Sequence, residues 1–188
     1  MFDWLRRDTA AIDRAVTPWV IANGHKTRFM KGTDFSTLDG LFKDAGVDLY
    51  LAGHAHNYQR IAPNDNGKRE ACNDAAKHAY TDCANYVAVV SGSPGNWEIE
   101  DHPDPAKAPA GVLDAFNQNY GYSHLLVANA TVLTLTFEEV KVRDERGWLV
   151  KRDGAFTDTF SIIRTGARRA RTHVPFDETV ELAGVLEL

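Results

Sequence analysis

The stretch that most restricts this chain is Val47-Asp48-Leu49-Tyr50-Leu51-Ala52-Gly53-His54-Ala55-His56. An apolar run rich in Val, Leu and Tyr is the pattern of a buried strand, and the glycine that ends it lets the backbone turn sharply. Two imidazoles follow at once, one residue apart, at the C-terminal end of a strand, where open α/β sheets place their ligand sites. Imidazole suits zinc, iron, nickel and copper, so the natural ligand of such a pair is a transition metal. On spacing alone a His-x-His is more often accidental than metal-binding, so its surroundings decide.

Upstream, Thr17-Pro18-Trp19-Val20-Ile21-Ala22-Asn23-Gly24-His25 repeats the plan: an apolar strand, a glycine, then a histidine. Between the two strands, residues 36–46 read as a helix, capped by Asp34 or Ser36 and ended by Gly46. Strand, helix and strand make a right-handed crossover that sets the two strands parallel. His25, His54 and His56 are thereby expected at one rim of one sheet.

These pieces, in order, carry a resemblance. Trp4-Leu5 with Asp8, Asp13-Arg14 leading into Thr17-Pro18-Trp19, Gly24-His25, Val47-Asp48, and Gly53-His54-Ala55-His56 with Tyr58 and Arg60 are similar to the second half of the purple acid phosphatase catalytic domain. That family lies within the calcineurin-like metallophosphoesterase superfamily. The resemblance continues more weakly through Val89-Val90-Ser91-Gly92-Ser93-Pro94-Gly95, Tyr120-Gly121-Tyr122 and Asp158-Thr159-Phe160-Ser161-Ile162-Ile163, covering the chain to about Arg164.

The resemblance implies an α/β fold: half of the layered α/β/β/α metallophosphoesterase sandwich, parallel near the histidines and antiparallel towards the C-terminus. Residues 1–164 are then the C-terminal part of a metallophosphoesterase domain and 165–188 a tail. It implies hydrolysis of phosphate monoesters at a dinuclear centre of iron with zinc, manganese or iron. His25 and His54 fall at positions that ligate the divalent metal, and His56 at a ligand of the iron. Each ring must be neutral to bind, so affinity falls at low pH. Lys26, Arg28 and Lys31 stand where the family often has substrate-binding histidines, and cations there can meet a phosphate.

The bridging aspartate, a second aspartate, the chromophoric tyrosine and an Asn-His element of the family precede the matched region. Asp34, Asp39 and Asp48 do not replace them, since a helix start, a helix surface and a strand residue explain them more simply. The expectation is therefore at most one weakly held metal, no catalytic residue assigned, and an isolated chain without activity. A non-catalytic metal- or partner-binding remnant, or a phosphodiesterase or nucleotidase of the same superfamily, are the alternatives. Half a sandwich also leaves an apolar edge and face uncovered, so self-association or pairing with an N-terminal half is expected. Family resemblance suggests a secreted or periplasmic protein.

With 188 residues, 44% hydrophobic and 25% charged, the chain has material for one globular core. A net charge of -5 leaves no basic footprint for nucleic acid or anionic membrane. No apolar stretch is long enough to span a bilayer, and the N-terminus has no signal-peptide pattern.

Elsewhere, residues 1–15 read as a helix, 57–61 and 86–90 as strands, and 63–67 as a turn. Residues 68–84 are polar and carry Cys72 and Cys83, which read as a disulfide staple in an oxidising compartment, as free thiols, or, with His78 between them, as a metal pair. Residues 91–96 form a loop of small residues that reads either as a close approach to a ligand or as a plain turn, and 98–109 a surface excursion. From Tyr122 the pattern is β: 123–127, 132–137 and 156–163. Asn129-Ala130-Thr131 is a formal glycosylation acceptor in a tight connection. Turn signals stand at 144–147 and 152–154. Arg164, Arg168, Arg169 and Arg171 read as a solvated face or flexible end. Asn57, Tyr58 and Arg60 read as support for the histidine loop.

Overall fold

The computed structural model describes residues 2–29, 35–74, 78–93, 111–143, 149–150 and 155–166. Helix α1 is Phe2–Ala10 and α2 is Ser36–Asp44; the first strands are β1 (Ile21–Gly24), β2 (Leu49–Ala52) and β3 (Tyr58–Ile61). A small hairpin of β4 (Asn64–Asp65) and β5 (Lys68–Arg69) turns at Asn66 and Gly67, both at positive φ. Then come β6 (Asn73–Asp74), β7 (Ala79–Thr81), β8 (Val87–Ser91), β9 (Leu113–Asn117), β10 (Tyr120–Val127), β11 (Val132–Arg143), β12 (Leu149–Val150) and β13 (Thr157–Ile163).

Two sheets hold most of these strands. The first has the order β1-β2-β8-β3-β9, and the second β10-β11-β13-β7-β6. β1, β2 and β8 run parallel, whereas β3 is antiparallel to both β8 and β9. In the second sheet β11 is antiparallel to β10 and β13. The fold is thus mixed α/β, parallel near the histidines and antiparallel later, as expected.

Strand alternation explains why β2 is apolar throughout. Leu49 joins the core between the sheets with Tyr58, Val87, Val89, Tyr80, Leu133, Leu135, Phe137 and Phe160. Tyr50 and Ala52 point to the opposite face, where Phe35 and Phe42 of the α2 region cover them. With both faces buried, no polar position is left in the run. Tyr58 stacks on Phe137 at 4.2 Å between centroids, an aromatic contact across the layers.

Several buried charges join the elements. Asp158 of β13 accepts hydrogen bonds from Tyr58 Oη (2.7 Å), Arg60 Nε (2.8 Å) and Arg60 Nη2 (2.9 Å). Tyr58 and Arg60 therefore clamp one sheet to the other just after the histidine loop. Burial opposes the Arg60 charge, but its bonds to Asp158 more than offset this and hold the guanidinium above its ordinary pKa. Asp48 is fully buried; it accepts from Arg14 at 2.7 Å and the Val20 amide at 2.8 Å, and pairs with Arg164.

Four expectations change. Helix α1 ends at Ala10, short of residue 15. Phe35 caps α2 without a side-chain bond, so Ser36 is not the cap, although Gly46 does end the helix at φ 65°. Asp39 is not a helix-surface residue: it is 5% exposed, paired with Arg28 and Lys43 and bonded by Tyr86 Oη. Arg164 belongs to no solvated face, being buried against Asp48 and over the Trp19 ring. Strands β6, β7 and β9 lie in segments the sequence pattern left unassigned. Cys72 and Cys83 form a disulfide, so neither the free-thiol nor the metal-pair alternative holds. Asp34, Lys31, residues 94–96, 98–109, 144–147, 152–154 and the tail from 167 lie outside the described residues.

Candidate metal centre

Strands β1 and β2 pair in parallel with Gly24 opposite Ala52, so His25 and Gly53 leave the sheet side by side. His54 follows one residue later. Its ring meets that of His25 edge-on, at 4.9 Å between centroids, with His54 Nδ1 2.9 Å from His25 Nε2. Two nitrogens about 3 Å apart is the separation that two imidazoles need to share one cation, given metal–nitrogen bonds of about 2.0–2.1 Å. His25 is exposed and His54 half-buried, so the pair is open to solvent. The donor set therefore fits a single transition-metal ion.

Local backbone builds this meeting. His54 adopts φ 60°, the left-handed region that non-glycine residues rarely enter. Such a conformation costs roughly 1–2 kcal/mol and marks a loop shaped by its surroundings. Ala55 N donates to Gly53 O and Asn57 N to Ala55 O, both at 2.8 Å, folding residues 53–57 into two successive three-residue turns. Gly92, at the end of β8, braces the loop by donating to Asn57 O at 3.0 Å. A Cβ at Gly92 would overlap the Ala55 carbonyl, so only glycine permits this approach. At Gly24 a Cβ would stand 2.7 Å from Tyr50 Oη, whose hydroxyl donates to Lys26 O at 2.5 Å and fixes the chain on either side of His25.

His56 lies in the same loop, half-buried. Among the described residues it does not add a third nitrogen within 4.8 Å of the other two, nor does any carboxylate come that close to the pair. The one such group, Glu70 with Cys72 and Cys83, is a disulfide beside a carboxylate that accepts from the Ala84 and Asn85 amides. Lys26 is exposed next to His25. Arg28, expected to offer a cation to phosphate, is instead 6% exposed; its guanidinium is paired with Asp39 at 2.8 Å and lies 5.2 Å from the Tyr86 ring centroid. The buried Asp39 carboxylate on α2, a partner that a run of loop charges does not reveal, holds it there. A cavity of about 270 Å³ opens beside the pair, lined by Asn23, Gly53, Ser91, Ser123 and His124 among others.

The sequence marked the loop after β8 as one that can approach a ligand, but not Gly92 as the brace of the Gly53–Asn57 loop or Tyr50 as a builder of the site. A Gly-Ser pair after a strand is the usual look of a turn, and a tyrosine within an apolar run the usual look of core.

Residues 86–145 match the family described as iron/zinc purple acid phosphatase-like protein C. An acid phosphatase of Aspergillus ficuum is 29% identical over 141 residues, which are 69% of this chain and 23% of that protein. Human acid phosphatase type 7 is 27% identical over 87% of this chain and 39% of its own length. Purple acid phosphatase from yellow lupin (Lupinus luteus) seeds superposes with a TM-score of 0.62 at 21% identity, over 87% of this chain and 28% of that one. The chain spans less than half the length of each of these proteins. The lupin likeness shows the fold, and residues 86–145 match the C-terminal domain model of the purple acid phosphatase-like family, to whose acid phosphatase members the chain is similar.

Proposed function

We propose that this chain carries the histidine part of a metal site that hydrolyses phosphate monoesters. The observation that supports this most is the approach of His25 Nε2 to His54 Nδ1 at the C-terminal rim of two parallel strands. In this reading both rings present unprotonated nitrogens to one cation, and their protons reside on His25 Nδ1 and His54 Nε2. His56, two residues on, serves a second cation alongside carboxylates from outside residues 1–188. A bound divalent ion supplies Lewis acidity and lowers the pKa of its water. Lys26 faces the charge of the phosphate, and the cavity beside the pair gives room for a small ester group.

The second reading is a metal- or partner-binding remnant without turnover. It draws on the lack of a nearby carboxylate among the described residues. Zinc titration by calorimetry, together with p-nitrophenyl phosphate turnover, separates the two. One zinc per chain, weakened at least tenfold by His25→Ala or His54→Ala, supports the site. Turnover that appears only when an aspartate-bearing N-terminal half of a relative is added supports the phosphatase reading; zinc binding without turnover under that condition supports the remnant. Unchanged zinc stoichiometry and affinity in both variants overturns the ligand assignment.

A further inference from the structure

We propose that the cavity between the two sheets, beside His25 and His54, seats the alcohol part of the phosphate ester and selects a compact, uncharged alcohol with an apolar body, a phenol above all. This rests on the reading of the histidine pair as a phosphatase metal site and adds to it the class of substrate. The cavity measures about 270 Å³, and Gly53, one residue before His54, forms part of its wall. A Cβ at Gly53 would stand 3.9 Å from His25 Nδ1, so that wall adjoins the His25 ring. An ester whose phosphate meets the two rings would therefore run its carbon body inward between the layers.

Both layers supply apolar walls. Leu51 of β2 comes from the first sheet, Leu125 of β10 and Leu135 of β11 from the second, and all three pack on the core between the sheets. Strand alternation puts them there: Leu51 shares a face with Leu49, and Leu125 stands in register with Leu135. A flat ring laid between these leucines displaces water from them, the usual make-up of a small-molecule site.

The polar groups around the cavity are few and uncharged. Ser91 Oγ of β8 lies 2.9 Å from Ser123 Oγ of β10, so a hydroxyl pair bridges the layers where the cavity opens. One hydroxyl donates to the other, which leaves one hydroxyl hydrogen and spare lone pairs for a guest. Asn23, exposed on the edge strand β1, adds a carboxamide. No Lys or Arg is found among the described residues that line the cavity, and the imidazole of His124 lies 3.3 Å from the Glu138 carboxylate. A guest with a second phosphate would give up water there without gaining a counter-ion, whereas a phenol carries no charge to desolvate.

The test uses the full chain. Calorimetric titration of its zinc-loaded form should show phenyl phosphate binding about tenfold more tightly than glycerol 1-phosphate or inorganic phosphate, the gain from desolvating one ring. Ser123→Leu, which fills the cavity from β10, and Asn23→Trp, which covers it from an exposed position, should each abolish that preference; Asn23→Trp decides if Ser123→Leu does not fold. Phenol alone, titrated into the metal-free chain, should shift the methyl resonances of Leu51, Leu125 and Leu135 in the original chain and not in the variants. Equal affinity for phenyl phosphate and glycerol 1-phosphate overturns the proposal, as does a preference that survives Asn23→Trp. If none of the three phosphates binds, the phosphatase reading of the metal site fails instead, and the phenol titration decides the cavity by itself: shifts confined to those leucines sustain an aryl seat, and their absence overturns it.

Discussion

Replacing Asp158 by Asn tests whether the two layers are held together by the buried charge cluster. The Asp158 carboxylate is 7% exposed and accepts three hydrogen bonds, two from Arg60 and one from Tyr58. Asn keeps the shape but removes the negative charge, leaving a guanidinium that is also only 7% exposed without its main counter-ion. Breaking one side of a buried pair costs about 3–5 kcal/mol, because the remaining charge stays desolvated. Tyr80 Oη, 2.8 Å from Arg60 Nη1, and Asp114, 3.7 Å away, offset part of this, so about 3 kcal/mol is expected. For a chain of this size that lowers the midpoint of thermal unfolding by roughly 6–12 °C. Urea denaturation followed by tyrosine fluorescence and far-UV circular dichroism measures the change directly. Arg60→Met with Asp158→Asn should cost less than the sum of the two single variants by about 1–3 kcal/mol, since neither charge is then left alone. A loss below about 1 kcal/mol for Asp158→Asn, or strict additivity in the cycle, refutes the reasoning.

Gly92→Ala should displace the Gly53–Asn57 loop, costing about 1–3 kcal/mol and weakening zinc binding more than a remote core substitution of equal destabilisation does; calorimetry on both variants checks this. Burial raises the hydroxyl pKa of Tyr58, Tyr80 and Tyr86 above the ordinary 10.0. Their stabilising contribution is complete below pH 10, where the unfolded chain is also protonated, and is lost as pH rises above it. Each tyrosine adds a slope approaching 1.4 kcal/mol per pH unit, so Tyr86→Phe should visibly flatten the alkaline limb of a stability–pH profile. The Cys72–Cys83 bridge spans a sequence separation of 11, so the Cys72→Ser/Cys83→Ser pair should lose about 3 kcal/mol, read from urea midpoints under non-reducing conditions.

The meeting of His25 and His54 was legible because its signals are local, whereas the expected approach of His56 was not met among the described residues. An apolar strand, a glycine and a histidine, repeated with a helix between, fix two parallel strands whose ends coincide, and that alone brings His25 beside Gly53. The antiparallel second sheet was also legible from its alternation, as Thr134 and Thr136 on one face oppose Leu133, Leu135 and Phe137 on the other. Strands β6, β7 and β9 were not. They are short or polar and are strands only because neighbouring strands offer them partners.

The charged residues divide in the same way. Sequence determined that Arg28, Asp39, Asp48, Asp158 and Arg164 are ionic, and the local pattern put Arg28 in a loop, Asp39 on a helix surface, Asp48 and Asp158 in strands and Arg164 on a solvated face. Tertiary structure decided that all five are buried, because each finds an opposite charge or hydroxyl on another element of the fold: Arg28 with Asp39, Asp48 with Arg14 and Arg164, Asp158 with Arg60 and Tyr58. Burying a charge is favourable only where such a partner arrives, and no local pattern in the chain records that arrival.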